Sequence, residues 1–147
     1  MSQVLNTKEV LKEAIETGEI SINRGTKGGR PRIVKISEDG LSALLYAEKI
    51  QGEKENLIPE DLSYVRFYKH IYKRAARFLK NNGIKGFHEL RSTYACRRYK
   101  DLTGHWAPCI SGYRKASRTA DHFAREIIAL ELGHNRIAVT VSYLGYP

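Results

Sequence analysis

Hydrophobic positions along this chain recur mostly at helical spacing, with one short stretch near the start that reads instead as a pair of strands. Val4, Leu5, Val10, Leu11 and Ala14 form the apolar stripe of a short first helix. Lys8, Glu9, Lys12, Glu13, Glu16 and Glu19 occupy its other faces, and Gly18 is its stop. The next segment, EISINRGTKGGRPRIVKI, predicts a β-hairpin with strands over residues 20–23 and 32–36 around a turn containing Gly25, Gly28 and Gly29. Arg24, Lys27, Arg30 and Arg32 stand at or beside its tip. Ser37 opens a further helix through Leu41, Leu44, Leu45 and Ala47, and residues 51–59 form a polar connection. Beyond residue 64 the pattern is helical again, broken at residues 81–86 and 103–117. The predicted fold class is α+β, mainly α-helical, with one small antiparallel hairpin near the N-terminus. A length of 147 residues suits a single domain with one core.

The glycine-rich turn matches neither GxGxxG nor GxxxxGK[ST], and no long helix follows it directly, which argues against a nucleotide-binding loop. Residues 64–80 are more distinctive: Arg66, Lys69, Lys73, Arg74, Arg77 and Lys80 occur there without any acid. Val65, Tyr68, Ile71, Tyr72, Ala75, Ala76 and Leu79 recur at three- and four-residue steps, which predicts a basic amphipathic helix with one packed face. Its cationic face is either simply solvated or follows phosphates. Composition reinforces the second option, because 25 Lys and Arg against 16 Asp and Glu give a net charge of +9, an excess that favours a polyanionic partner. No apolar run approaches the roughly 20 residues that span a bilayer, and Lys8 and Glu9 interrupt any signal-peptide core, so a soluble, non-secreted protein is expected. Cys96 and Cys109 lack the paired spacing of a zinc site and are read as reduced thiols.

Three short segments carry the candidate chemistry: HELR at residues 88–91, LGH at residues 132–134, and Tyr143 nine positions beyond His134. His88 and Arg91, spaced i and i+3, share one helical face and can converge on a single anion. In this order the segments resemble the tyrosine recombinases, the phage integrase family, in its HxxR box, its LG-H box and its nucleophilic tyrosine. The hairpin bearing Lys27 looks like the family's lysine-carrying β-hairpin. The resemblance extends from about Val4 to Leu144 and corresponds to the catalytic domain, without the N-terminal DNA-clamping domain usual in relatives.

The resemblance implies an in-line transesterification at a DNA phosphodiester, with Tyr143 forming a 3′-phosphotyrosyl bond and releasing a 5′-hydroxyl. A free phenol has a pKa near 10, so a base must take its proton; His88 is the candidate. Arg91 would pair with the non-bridging oxygens, His134 would donate to them, and Lys27 would protonate the leaving oxygen. Arg24, Arg30, Arg32, Arg66, Lys69, Lys73 and Arg77 are the expected DNA-binding residues. Duplex DNA is the implied partner, with self-assembly on DNA left open. No metal or cofactor is expected, and a cytoplasmic protein of bacterial or phage origin is.

One position departs from the family pattern. Leu5 and Glu9 fall in the frame of its first-arginine box, but Asn6 stands where that arginine belongs. The site has lost half its phosphate clamp, the true N-terminal segment lies upstream, or the register is shifted. Losing one donor to a charged transition state costs about 100- to 1000-fold in rate, so weak activity, or a remnant that only binds DNA, is the alternative expectation. Residues 104–121, with His105, Trp106, Tyr113, Arg114, Lys115 and Arg118, read as an insertion that either touches DNA or forms a surface loop anchored by Trp106. His105 and His122 carry no functional expectation. Only four residues follow Tyr143, little of the tail with which relatives dock on a neighbour.

Overall fold

The structure, a computed structural model, describes residues 6–23 and 30–147. Val4, Leu5 and residues 24–29, where the sequence places the hairpin turn with Arg24 and Lys27, lie outside the described residues. The chain divides into two compact units, Met1–Tyr72 and Lys73–Pro147.

In the first unit, α1 (Thr7–Thr17) is closed by Gly18, whose φ of 72° lets its N–H reach the Ala14 carbonyl. Strand β1 (Glu19–Ile22) then pairs antiparallel with β2 (Arg32–Lys35), Ile20 facing Val34. Val10 and Ala14 of α1 bury against Ile20, flanked by Ile22, Val34, Ile36, Leu41 and Leu44. Helix α2 (Glu38–Gln51) starts at Ser37, whose hydroxyl accepts the Gly40 N–H, as expected of a serine cap. The hairpin and both flanking helices therefore match the sequence pattern, and the fold is α+β and mainly helical.

Gln51 differs from its reading as part of a polar connection. It is buried, and its side-chain oxygen accepts both the Thr7 backbone N–H (2.8 Å) and the Thr7 hydroxyl, while its amide donates to the Lys54 carbonyl. The start of α1 has unpaired N–H groups, and Gln51 supplies from the end of α2 the cap that Asn6 does not.

The basic helix is continuous over residues 64–81 but not uniform. It comprises α3 (Tyr64–Phe67), a π-helical turn (Tyr68–Tyr72) and α4 (Lys73–Asn81), and the boundary between units falls within it. The packed apolar face expected here is not found: none of its residues is buried, and Val65 is 58% exposed. The π turn adds residues to one turn, so a stripe spaced for 3.6 residues per turn changes face across it. Tyr68 and Tyr72 stack on each other, ring centroids 4.8 Å apart.

In the second unit, α5 (Phe87–Thr103) and α7 (Arg118–Glu131) pack through Ala95, Cys96 and Tyr99 against Ala124 and Ile128. The short helix α6 (Pro108–Ser111), a 3-10 turn (Ile137–Thr140) and α8 (Val141–Leu144) close that core, to which Leu132, Tyr143 and Leu144 contribute. Residues 104–121 are therefore not a surface insertion. Ala107, Pro108, Ala116 and Asp121 are buried, whereas the supposed anchor Trp106 is 40% exposed, with the Lys100 ammonium 4.3 Å from its ring centre. Small alanines at the contacts allow this close packing, and small apolar side chains give a weak periodic signal.

Replacing Gln51 by Ala strands the Thr7 N–H and should cost the first unit about 1–3 kcal/mol in urea unfolding followed by amide exchange in α1, while the exposed Ser42→Ala stays near wild type.

Candidate active site

Among the described residues the site lies in the second unit, and it begins with the end of α7. Gly133 has a φ of 74° and donates to the Leu130 carbonyl, while His134 donates to Ala129. This pair of bonds is a Schellman motif, which needs a left-handed residue after the helix and throws the next one outward. Leu132 stays in the core, Gly133 makes the turn and His134 emerges from it, which explains why LGH occurs as a unit.

Opposite this turn is the first part of α5. His88 and Arg91 stand one turn apart there, and an Arg91 Nη2 N–H donates to the Leu132 carbonyl, tying α5 to the end of α7. Tyr143 enters from α8. Its hydroxyl lies 3.2 Å from His134 Nε2, and its ring stacks nearly parallel to His88, centroids 5.5 Å apart at 13°. Tyr143 is 6% exposed. Four of the five expected catalytic residues, His88, Arg91, His134 and Tyr143, thus come together, and the imidazole in hydrogen-bond contact with the phenol is His134, with His88 against the ring face. Lys27 and Arg24 lie outside the described residues. Arg30, Arg66, Lys69, Lys73 and Arg77 are exposed and Arg32 is half-buried. Asn6, in the first unit, has its side-chain oxygen 3.4 Å from the Gln51 amide.

Residues that the sequence reading did not single out hold Tyr143 in place. Arg125, buried on α7, bonds through Nε to both oxygens of Asp121 (3.1 and 3.0 Å), through Nη1 to the Thr140 hydroxyl (3.3 Å) and through Nη2 to the Gly145 carbonyl (3.0 Å). One guanidinium therefore grips the chain on both sides of Tyr143. Tyr99, fully buried, donates to Asp121 Oδ1 at 2.7 Å and completes the network. Gly145 lies so close to α6 that a Cβ there would sit 2.9 Å from the Cys109 nitrogen. Nearby, Glu131 accepts from Tyr94 and Arg98. The available signal was an Asp and an Arg spaced i and i+4 on the same face as Ala124 and Ile128, a charge pair inside an apolar stripe.

Burial, followed by the neighbouring carboxylate, raises the phenols of Tyr99 (beside Asp121) and Tyr94 (beside Glu131) far above their ordinary value of 10.0. Both stay protonated donors wherever the fold persists.

A protein-family model described as Integrase matches residues 3–97, well over half of the chain. The chain belongs to this integrase family. No curated protein and no solved structure matches it. The matched stretch of the integrase contains Asn6, both strands, the basic helix, His88 and Arg91, and ends before His134 and Tyr143. Integrase membership implies interaction with DNA and a part in DNA integration or recombination. Among the described residues no helix is long and apolar enough to cross a membrane.

Arg125→Met should destabilise the second unit by about 3–5 kcal/mol in denaturant unfolding, because Asp121 is left buried without its cation; pairing it with Asp121→Leu should recover most of that loss. A second expectation concerns alkaline pH. The folded chain keeps protons on Tyr94 and Tyr99 that the unfolded chain releases, so their contribution is fully present below their ordinary value and is lost as pH rises above about 10. The melting temperature should fall in that range, and Tyr99→Phe, although less stable at neutral pH, should show a shallower decline.

Proposed function

We propose that this integrase cuts and rejoins DNA through a 3′-phosphotyrosyl bond at Tyr143. The observation that carries the reading is the Tyr143 hydroxyl at 3.2 Å from His134 Nε2, with the ring against His88 and with Arg91 bonded to the turn that presents His134. Attack begins from a phenol already paired with an imidazole, and His134, the ring in contact with the hydroxyl, receives the proton as the phosphorus–oxygen bond forms. That assignment moves the general-base role from His88 to His134. His88 then stacks on the phenol and fixes its plane. Arg91 keeps most of its guanidinium donors after its bond to Leu132 and pairs with the non-bridging phosphate oxygens. The leaving 5′-oxygen takes its proton from Lys27. Arg24, Arg30, Arg32, Arg66, Lys69, Lys73 and Arg77 track the DNA backbone, and both units serve as one catalytic domain.

A second reading is favoured by Asn6, whose side chain faces Gln51 and carries no charge for a phosphate. In it the chain keeps DNA affinity and has lost cleavage.

Nicked suicide-substrate DNA separates the two. Cleavage predicts a covalent protein–DNA adduct that disappears in Tyr143→Phe and forms about 100-fold more slowly in His134→Ala, with DNA affinity retained in both. Salt-sensitive binding without any adduct would leave the binding-only reading standing.

A further inference from the structure

Behind the Tyr143 ring, on the side of its backbone, lie the two cysteines of the chain. Cys96 of α5 is buried and Cys109 of α6 is exposed, and their sulfurs stand 3.5 Å apart. Each also lies against the carbonyl oxygen of Tyr143, at 3.5 Å for Cys96 and 3.4 Å for Cys109. Two thiols from residues thirteen positions apart thus meet at the peptide that follows the nucleophile. An open cavity of about 330 Å³, lined by Cys96, Cys109, Trp106, Ile110 and Tyr143, leads to them. Among the described residues no three His, Cys, Asp or Glu side chains form a metal-ligand set, so this cluster offers sulfur chemistry rather than a metal site.

The geometry points to Cys96 and Cys109 as an oxidisable dithiol whose disulfide displaces the Tyr143 segment and slows strand cleavage, an inference that rests on the proposed role of Tyr143 for its functional consequence. The oxidant is a peroxide. The exposed Cys109 sulfur attacks one peroxide oxygen, the O–O bond breaks, and Cys109 sulfenic acid forms as water departs. Cys96 then attacks the sulfenic sulfur, its proton and the hydroxyl leaving as a second water. In all, two thiols lose two electrons and two protons, and one peroxide is reduced to two waters. Burial, and then Cys109 beside it, pushes the Cys96 thiol up to about 12, so Cys96 is the resolving rather than the attacking sulfur.

Closing the bond brings sulfurs now 3.5 Å apart to about 2.05 Å. Both thiol hydrogens are lost, and with them the donors facing the Tyr143 carbonyl. Gly145 packs on the Cys109 backbone without room for a Cβ, which couples any shift of α6 to the chain two residues beyond Tyr143.

Hydrogen peroxide added to the full chain should produce a Cys96–Cys109 cross-linked peptide by mass spectrometry. Amide exchange over residues 141–145 should quicken at least about tenfold, equivalent to ~1.4 kcal/mol of local opening, and return with dithiothreitol. Cys109→Ser should cleave like wild type and ignore peroxide. Oxidation of Cys109 to sulfinic acid with Cys96 untouched, or a disulfide with exchange over 141–145 unchanged, overturns the inference. The nicked-DNA assay keeps the two readings apart: a reduced chain that forms no adduct refutes the cleavage reading, and exchange then decides the dithiol. Equal adduct rates in reduced and oxidised chains overturn the inference alone.

Discussion

A helix of four residues cannot hold a side chain in place by its own hydrogen bonds, and the second unit is arranged around that limit at α8. Position is imported from longer helices. Arg125 of α7 grips Thr140 before Tyr143 and Gly145 after it, Asp121 and Tyr99 fix Arg125, and α5 supplies Tyr99. Tyr143 is therefore only as well placed as the α5–α7 packing, and the interactions that stabilise this unit are also those that position its ring. The ionic cost is contained because Asp121 meets both a guanidinium and a phenol, so that neither charge is buried without a partner.

What could be read in the sequence was what one turn of backbone encodes. Gly18 and Ser37 mark helix ends through their own geometry, and the hairpin follows from alternation around glycines. HELR and LGH are local in the same sense. An i, i+3 pair on one face and a Schellman turn can both be recognised from a few letters, and with Tyr143 they bring four catalytic candidates together. The unread part depends on partners far apart in the chain. Gln51 looks like the start of a polar linker until Thr7 is placed beside it, and Tyr99 looks like an ordinary core aromatic until Asp121 accepts its hydroxyl. Residues 104–121 failed as an insertion because alanines, not Trp106, carry the packing. The packed face expected of the helix over residues 64–81 failed differently: periodicity assumes a constant number of residues per turn, and its π turn breaks that assumption.

Asn6 bears on both the packing of the first unit and the proposed chemistry. Its side chain turns toward Gln51, and Gln51 in turn caps α1 through Thr7, so this end of the first unit is built around amide and hydroxyl groups. A guanidinium belongs to a different local design, one in which position 6 faces an anion. In the proposed reaction, phosphate charge then falls to Arg91, which already commits one N–H to Leu132. A clamp of one partly engaged arginine is weaker than a pair, which is why the covalent adduct, and not DNA affinity, discriminates between the two readings.

The net charge of +9 divides along similar lines. Some cations near Tyr143 are structural: Arg98 is spent on Glu131 and Arg125 on Asp121. Arg30, Arg66, Lys69, Lys73 and Arg77 instead face solvent, where, in the proposed DNA complex, each phosphate contact would release counterions and contribute affinity that fades with salt. The two groups answer to different tests. On the proposed reading, neutralising a solvent-facing lysine lowers the salt slope of DNA binding and leaves the core intact, whereas neutralising Arg125 unbalances a buried carboxylate beside the Tyr143 segment. Charge in this integrase therefore divides by burial: buried Arg125 holds the Tyr143 segment, and the exposed cations are those available to a polyanion.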